Sequence, residues 1–163
     1  MAYDLVDTAD ELDKYRQTFW LSPVQWAKCT IAAPLAWQQV PFKKSERPRV
    51  PRTRGLYAFV IRPSISALFE HGYLMYVGQT GHGSGGTLQT RFDHYFDPKR
   101  NRKRPQIARL MQKWQDHLVF YFVPLANIPD LKALEKTLND AALPPSVTAD
   151  YSPAISEAVR AFP

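Results

Sequence analysis

The chain has 163 residues and a net charge of +6, with four Trp, eight Tyr and nine Phe to fill a core, so it is long enough for one domain with an extra lobe. Its one cysteine, Cys29, excludes an internal disulfide framework and points to a reducing compartment. The longest apolar runs are too short to cross a bilayer, and Met1-Ala2-Tyr3-Asp4 enters acidic sequence without a signal-peptide pattern, so a cytoplasmic protein with no membrane partner is expected.

Asp7 to Trp20 reads as an amphipathic helix: Thr8 and Glu11 have capping-box spacing, and Leu12, Tyr15 and Phe19 share a face. Ser22-Pro23 marks a second helix start, with proline in the first turn. Trp26, Trp37 and Phe42 imply that the chain up to about residue 42 packs against something. Residues 1–50 are therefore expected to form an N-terminal extension, partly helical. Within and just beyond it, the basic Pro-rich stretch 43–54 (KKSERPRVPRTR) reads as a linker or extended arm, because Pro48 and Pro51 discourage a helix.

Gly55 to Arg62 (GLYAFVIR) is apolar on both alternating faces and reads as a buried central strand. Residues 63–72 form a connection with a short helix through Ala67-Leu68-Phe69, and Tyr73 to Gly78 (YLMYVG) is a second strand, antiparallel to the first. The glycine-rich run Gln79 to Thr87 is a loop. A short helix is expected over Leu88–Phe96, then a basic run without an acid, Lys99–Arg104 (KRNRKR). Pro105–His117 has helical spacing through Ile107, Leu110, Met111 and Trp114, and Leu118–Val123 (LVFYFV) is a third strand. Asp130–Ala142 is a helix with Leu131, Leu134, Leu138 and Ala141 on one face, and the tail 146–163 holds a short helix from about Pro153 to Ala161. The class is α/β or α+β around a small sheet.

Three common chemistries fail on the residues. The loop Gly78-Gln79-Thr80-Gly81-His82-Gly83-Ser84 has P-loop-like glycines but lacks the phosphate-reaching lysine. His71, His82, His94 and His117 show no paired zinc-ligand spacing, and no cysteine pair accompanies them. Ser84 stands among glycines without a nucleophile elbow. What remains is a constellation in order: Gly55-Leu56-Tyr57 opens one strand and Tyr76-Val77-Gly78 closes the next. Arg91 follows on a helix with His94 and Tyr95 three and four residues on, and Glu135 lies on a later helix whose opposite stripe is leucine. Each residue alone is explained as core or solvated surface.

Together, RGLYAF, YLMYVGQT and LQTRFDHYF resemble the GIY-YIG nuclease family over roughly residues 53–145. The resemblance implies a three-stranded antiparallel sheet flanked by helices. It also implies a catalytic set of Tyr57, Tyr76, Arg91, Tyr95 (with His94 as its neighbour and substitute) and Glu135, the last as metal ligand. Two positions depart from the family pattern: Gln79 stands where many relatives have lysine, and Leu143-Pro144-Pro145-Ser146-Val147 carries the expected prolines but no asparagine.

The expected function is a metal-dependent endonuclease cutting phosphodiester bonds, in DNA rather than RNA. Mg2+ (or Mn2+) on Glu135 suits a hard oxygen ligand, and Arg91 suits phosphate through its planar fork. Either Tyr57 or Tyr76 takes the water's proton; the sequence does not choose between them. Lys99, Arg100, Arg102, Lys103 and Arg104 would track phosphates without reading bases. The alternatives are a catalytically inactive nucleic-acid-binding module on the same fold, or a protein-interaction domain using the aromatic N-terminal part.

Overall fold

In the computed structural model, residues 4–31, 34–83, 85–147 and 149–161 are described; Met1-Ala2-Tyr3 and Ser84 lie outside them. Four strands make one antiparallel sheet: β1 (Gln38–Pro41), β2 (Gly55–Ile61), β3 (Tyr73–Thr80) and β4 (Leu118–Pro124), in the order β1-β4-β2-β3. The expected three-stranded sheet is thus corrected to four. The extra strand comes from inside the N-terminal extension, where Gln38 faces Phe122 and Pro41 faces Val119. The ladder runs one residue further, as the Phe42 N–H bonds the Leu118 carbonyl at 2.9 Å. Val40 and Phe42 are 1% and 2% exposed, so this segment belongs to the core.

The second strand is central, paired on both sides, which explains why its sequence is apolar at nearly every position. In the regular ladder from Gly55 to Phe59, Tyr57 faces Gly78 and Phe59 faces Tyr76, and a bulge between Phe59 and Val60 shifts only the pairs beyond. Gly78 is obligatory here. A Cβ on it would lie 2.5 Å from the Tyr57 hydroxyl and 2.7 Å from the Tyr76 ring. Gly55 is equally confined, since its Cβ would meet the Val123 carbonyl oxygen at 2.1 Å.

The helices are α1 (Leu5–Asp13), α2 (Pro23–Ala27), α3 (Leu88–His94), α4 (Pro98–Asn101), α5 (Pro105–Trp114), α6 (Leu131–Ala142) and α7 (Pro153–Ala161). The first departs from expectation at both ends. Asp4, not Thr8, caps it by accepting the Val6 and Asp7 N–H groups, and it stops at Asp13. Beyond that end Tyr15 packs edge-on to Trp114 at 5.3 Å and Phe19 lies 5.7 Å from Tyr73, so tertiary packing holds residues whose periodicity suggests a helix. The expected helix at residues 67–69 is only a turn. Among the described residues no helix is long and apolar enough to cross a membrane.

One face of the sheet carries Phe42, Tyr57, Phe59, Tyr76, Phe120 and Phe122, covered by Phe92 and Tyr95 from α3 and its end and by Ile107 and Leu110 from α5. Leu56, Ala58 and Val77 alternate with these, and α6 lies along β3 and β2 with Leu131 buried. The Pro-rich basic stretch is tied to α3. Lys44–Arg49 forms a 3-10 helix, and buried Gln89 donates to the carbonyls of Arg47 and Val50 at 3.1 Å each. Arg47 pairs with Asp93 at 2.7 Å.

Candidate active site

Two features bring the site tyrosines together. The regular antiparallel register puts Tyr57 and Tyr76 on one face of neighbouring strands, and the Thr87–Thr90 capping box starts α3 so that its last turn lies over them. Tyr95 is the C-cap of that helix. Its hydroxyl lies 2.7 Å from that of Tyr57, and Arg91 Nε donates to the Tyr57 hydroxyl at 2.9 Å. The arginine also sits 5.9 Å from the centres of both rings.

A second arginine completes the cluster. Arg104 donates to the Tyr76 hydroxyl at 2.7 Å and to the Tyr95 hydroxyl at 3.2 Å. In the sequence it belongs only to the phosphate-tracking run. Its place follows from Pro105, which begins α5 and keeps the preceding residue out of the helical region, at φ −135 and ψ 82. The result is a continuous chain of Arg91, Tyr57, Tyr95, Arg104 and Tyr76. Sequence reasoning misses this role because KRNRKR offers five similar-looking basic positions. The one usable signal is the proline immediately after it.

Neither arginine has a carboxylate partner among the described residues; every ion pair there involves other groups. Tyr57 and Tyr76 are buried and their ionisation is suppressed. Burial, with the neighbouring phenols, pushes Tyr57 well above the ordinary value while Arg91 opposes this. Burial does the same to Tyr76, against the pull of Arg104. Both tyrosines are therefore protonated at neutral pH in the protein by itself.

Glu135 reaches this region from α6. It is 7% exposed, and its Oε1 accepts the Gln79 backbone N–H at 3.1 Å. Burial raises its pKa to about 7, Asp150 adds to the effect, and the Gln79 hydrogen bond and the two arginines oppose it. Asp150 is a further acidic neighbour that no motif or periodicity singles out; with Tyr76, Arg104 and Ser146 it lines a cavity beside the cluster. One turn beyond Glu135, Asn139 is fully buried with neither amide atom bonded to a described residue.

His94 ends α3 and does not join the tyrosine cluster, which Tyr95 reaches instead. Partial burial and the charges of Arg100 and Arg91 lower its pKa, so it is a neutral neighbour at pH 7. Lys99, Arg100, Arg102 and Lys103 are exposed, with Arg100 3.4 Å from Asp97. Of the basic side chains in this run only Arg104 turns inward.

The donor set fits one hard divalent cation. Glu135 is a single buried carboxylate with only one oxygen engaged by Gln79. No group of three or more His, Cys, Asp and Glu side chains among the described residues could hold a metal. A protein cage for zinc or calcium is not built here, whereas Mg2+ keeps several waters and accepts one carboxylate together with phosphate oxygens. No family model, curated protein or solved structure matches the chain.

Proposed function

We propose that the chain is a metal-dependent endonuclease of the GIY-YIG type, hydrolysing phosphodiester bonds in nucleic acid, DNA in preference to RNA, with Mg2+ or Mn2+. The observation that carries this reading is the juxtaposition of two half-buried guanidinium groups, both lacking a carboxylate, with hydrogen-bonded tyrosines and one buried carboxylate. Partly desolvated cations without a counter-ion are costly unless an anion arrives to meet them. A phosphodiester is such an anion, and the planar fork of arginine matches its oxygens.

Glu135 would hold the cation, which when bound supplies positive charge at the phosphate and a more acidic water. Arg91 commits one N–H to Tyr57, so its remaining donors are free to bind phosphate and stabilise the charge that develops during cleavage. Tyr57 and Tyr95 share a hydrogen bond and each accepts from an arginine, so one hydroxyl proton of the pair is left for another acceptor. Tyr76 accepts from Arg104 and likewise keeps its own proton to give. To act as general base, either phenol would first have to give up that proton, and Arg91 and Arg104 favour its loss against the burial that suppresses it. The preference for DNA rests on the family resemblance alone; the exposed basic run favours a polyanion and reads charge rather than sequence.

The test is a supercoiled-plasmid nicking assay with Mg2+, Mn2+ or EDTA, on wild type and Glu135→Gln. The substitution keeps the shape and the acceptor for Gln79 but removes the charge. The expected result is metal-dependent nicking by wild type, and a variant that folds and binds DNA but does not cut at any practical Mg2+ concentration. Robust nicking by purified Glu135→Gln would falsify the metal-ligand role. A wild type that binds DNA without cutting plasmid, branched or single-stranded substrates would make the chain a nucleic-acid-binding module instead.

A further inference from the structure

Beside the tyrosine cluster, between the end of α3, α4 and the start of α5, lies a cavity of about 560 Å3. Arg91 and Arg104 line it, with His94, Lys99, Arg100 and Lys103, and no acid is among its lining residues. Its volume is that of sites taking nucleotide-sized ligands, well beyond a lone phosphate. Buried Asn101 donates from its side chain to the Tyr95 carbonyl at 2.8 Å, which ties α4 to the end of α3.

The two guanidinium groups flank one ring, each 5.9 Å from the centre of Tyr95. Arginine has five N–H donors; Arg91 commits one to Tyr57, and Arg104 commits two to Tyr76 and Tyr95. Each keeps donors in reserve, and each lines the same acid-free cavity. We infer that this cavity holds two successive phosphates of one nucleic-acid strand, Arg91 taking one and Arg104, helped by Lys103, the next. The inference rests on the nuclease reading and deepens it: the unit recognised at the site is a nucleoside flanked by two phosphates. In this arrangement Arg104 orients Tyr76 and Tyr95 while it grips the neighbouring phosphate, so strand engagement and phenol placement use the same side chain.

The experiment measures binding by calorimetry in EDTA, where no cleavage intervenes, with thymidine 3′,5′-bisphosphate, thymidine 5′-monophosphate and pyrophosphate as probes. Wild type should bind the bisphosphate on the order of tenfold more tightly than the monophosphate, the gain expected of one added charge-assisted hydrogen bond. Pyrophosphate carries comparable charge with its two phosphorus atoms bridged by a single oxygen, and should not share that gain. In Arg104→Gln the ratio of bisphosphate to monophosphate affinity should fall to about one, while Arg91→Gln should weaken both ligands. Should Arg104→Gln fail to fold by circular dichroism, Arg104→Lys and Lys103→Ser carry the test, each lowering the ratio part of the way.

A wild-type ratio near one, an unchanged ratio in the Arg104 variants, or equal tightening by pyrophosphate overturns the two-phosphate site. The plasmid assay separates the two readings. Cutting without the bisphosphate preference removes the inference and leaves the nuclease. An Arg104-dependent preference without cutting removes the nuclease and leaves a site that grips a strand.

Discussion

Glu135 carries the clearest pH signature in the molecule. Its folded pKa is raised from 4.5 to about 7, chiefly by burial, so the folded state favours the protonated form. The stability this carboxyl contributes is complete below its unfolded value and is lost as pH rises through about 7. Metal-free protein should therefore melt at progressively lower temperature between about pH 5 and 8, with that part of the slope missing in Glu135→Gln. Cutting should follow the opposite trend, because a cation needs the carboxylate. At limiting Mg2+ the rate should climb through pH 7, and more Mg2+ should move the midpoint downward as metal competes with the proton. A midpoint indifferent to Mg2+ would assign the profile to another group. Tyr57, Tyr76 and Arg91 are readable because each sits in a motif whose spacing survives in one dimension. Glu135 does not lie opposite the core-facing stripe of α6 as its leucines suggest: the buried line is Leu131, Glu135 and Asn139, with Leu134 and Leu138 half-buried. The inward turn of Arg104 is not readable, since it depends on a backbone angle imposed by Pro105 and on a phenol arriving from another strand.

Among the elements, β2, β3, β4 and the helices α5 and α6 are visible as apolar patterns with the right period. The strand Gln38–Pro41 is not, because QQVP is short, half polar and on the sheet edge, with the burial of one residue to betray it. Pairing with β4 makes it a strand, and that pairing is a long-range fact. Phe42, one residue on, fastens this edge to α3: its ring stacks on Phe96 at 4.2 Å and meets Phe59 and Phe92 edge-on at 5.1 and 5.2 Å. Phe42→Ala should cost about 3–5 kcal/mol, read as a lower urea midpoint with the slope of the transition unchanged. A loss below about 1 kcal/mol would mean that the N-terminal strand is an appendage rather than part of the core. The first helix differs from its sequence reading at both ends because a capping-box spacing at Thr8 and Glu11 competes with an aspartate cap four residues earlier, and Asp4 satisfies two backbone donors at once.

Taken as a whole, the molecule carries its excess charge unevenly. Lys99, Arg100 and Lys103 are exposed around the cavity that Arg91 and Arg104 enter, so positive charge is gathered at the site. Replacing those three by serine should weaken DNA binding for every sequence. The slope of log affinity against log salt should fall by up to about 0.9 for each duplex phosphate that the protein no longer neutralises. An unchanged slope, measured by fluorescence anisotropy over a salt series, would make the run mere solvated surface. The total charge is plain from composition, but its focus is not: it depends on α4 being pinned beside α3 by Asn101.

The outer edge of β3 is closed by groups that are not strands. Glu135 accepts the Gln79 N–H, and the Ser146 N–H bonds the Met75 carbonyl at 2.9 Å. An unpaired edge is a template on which a second chain can add its own strand. The carboxylate thus occupies an edge donor on which a second chain could pair, and substitution separates this contact from its charge. Glu135→Gln keeps an oxygen for Gln79 and should remain monodisperse. Glu135→Ala bares the backbone donor, removes a charge beside it, and should show concentration-dependent light scattering that the glutamine variant lacks.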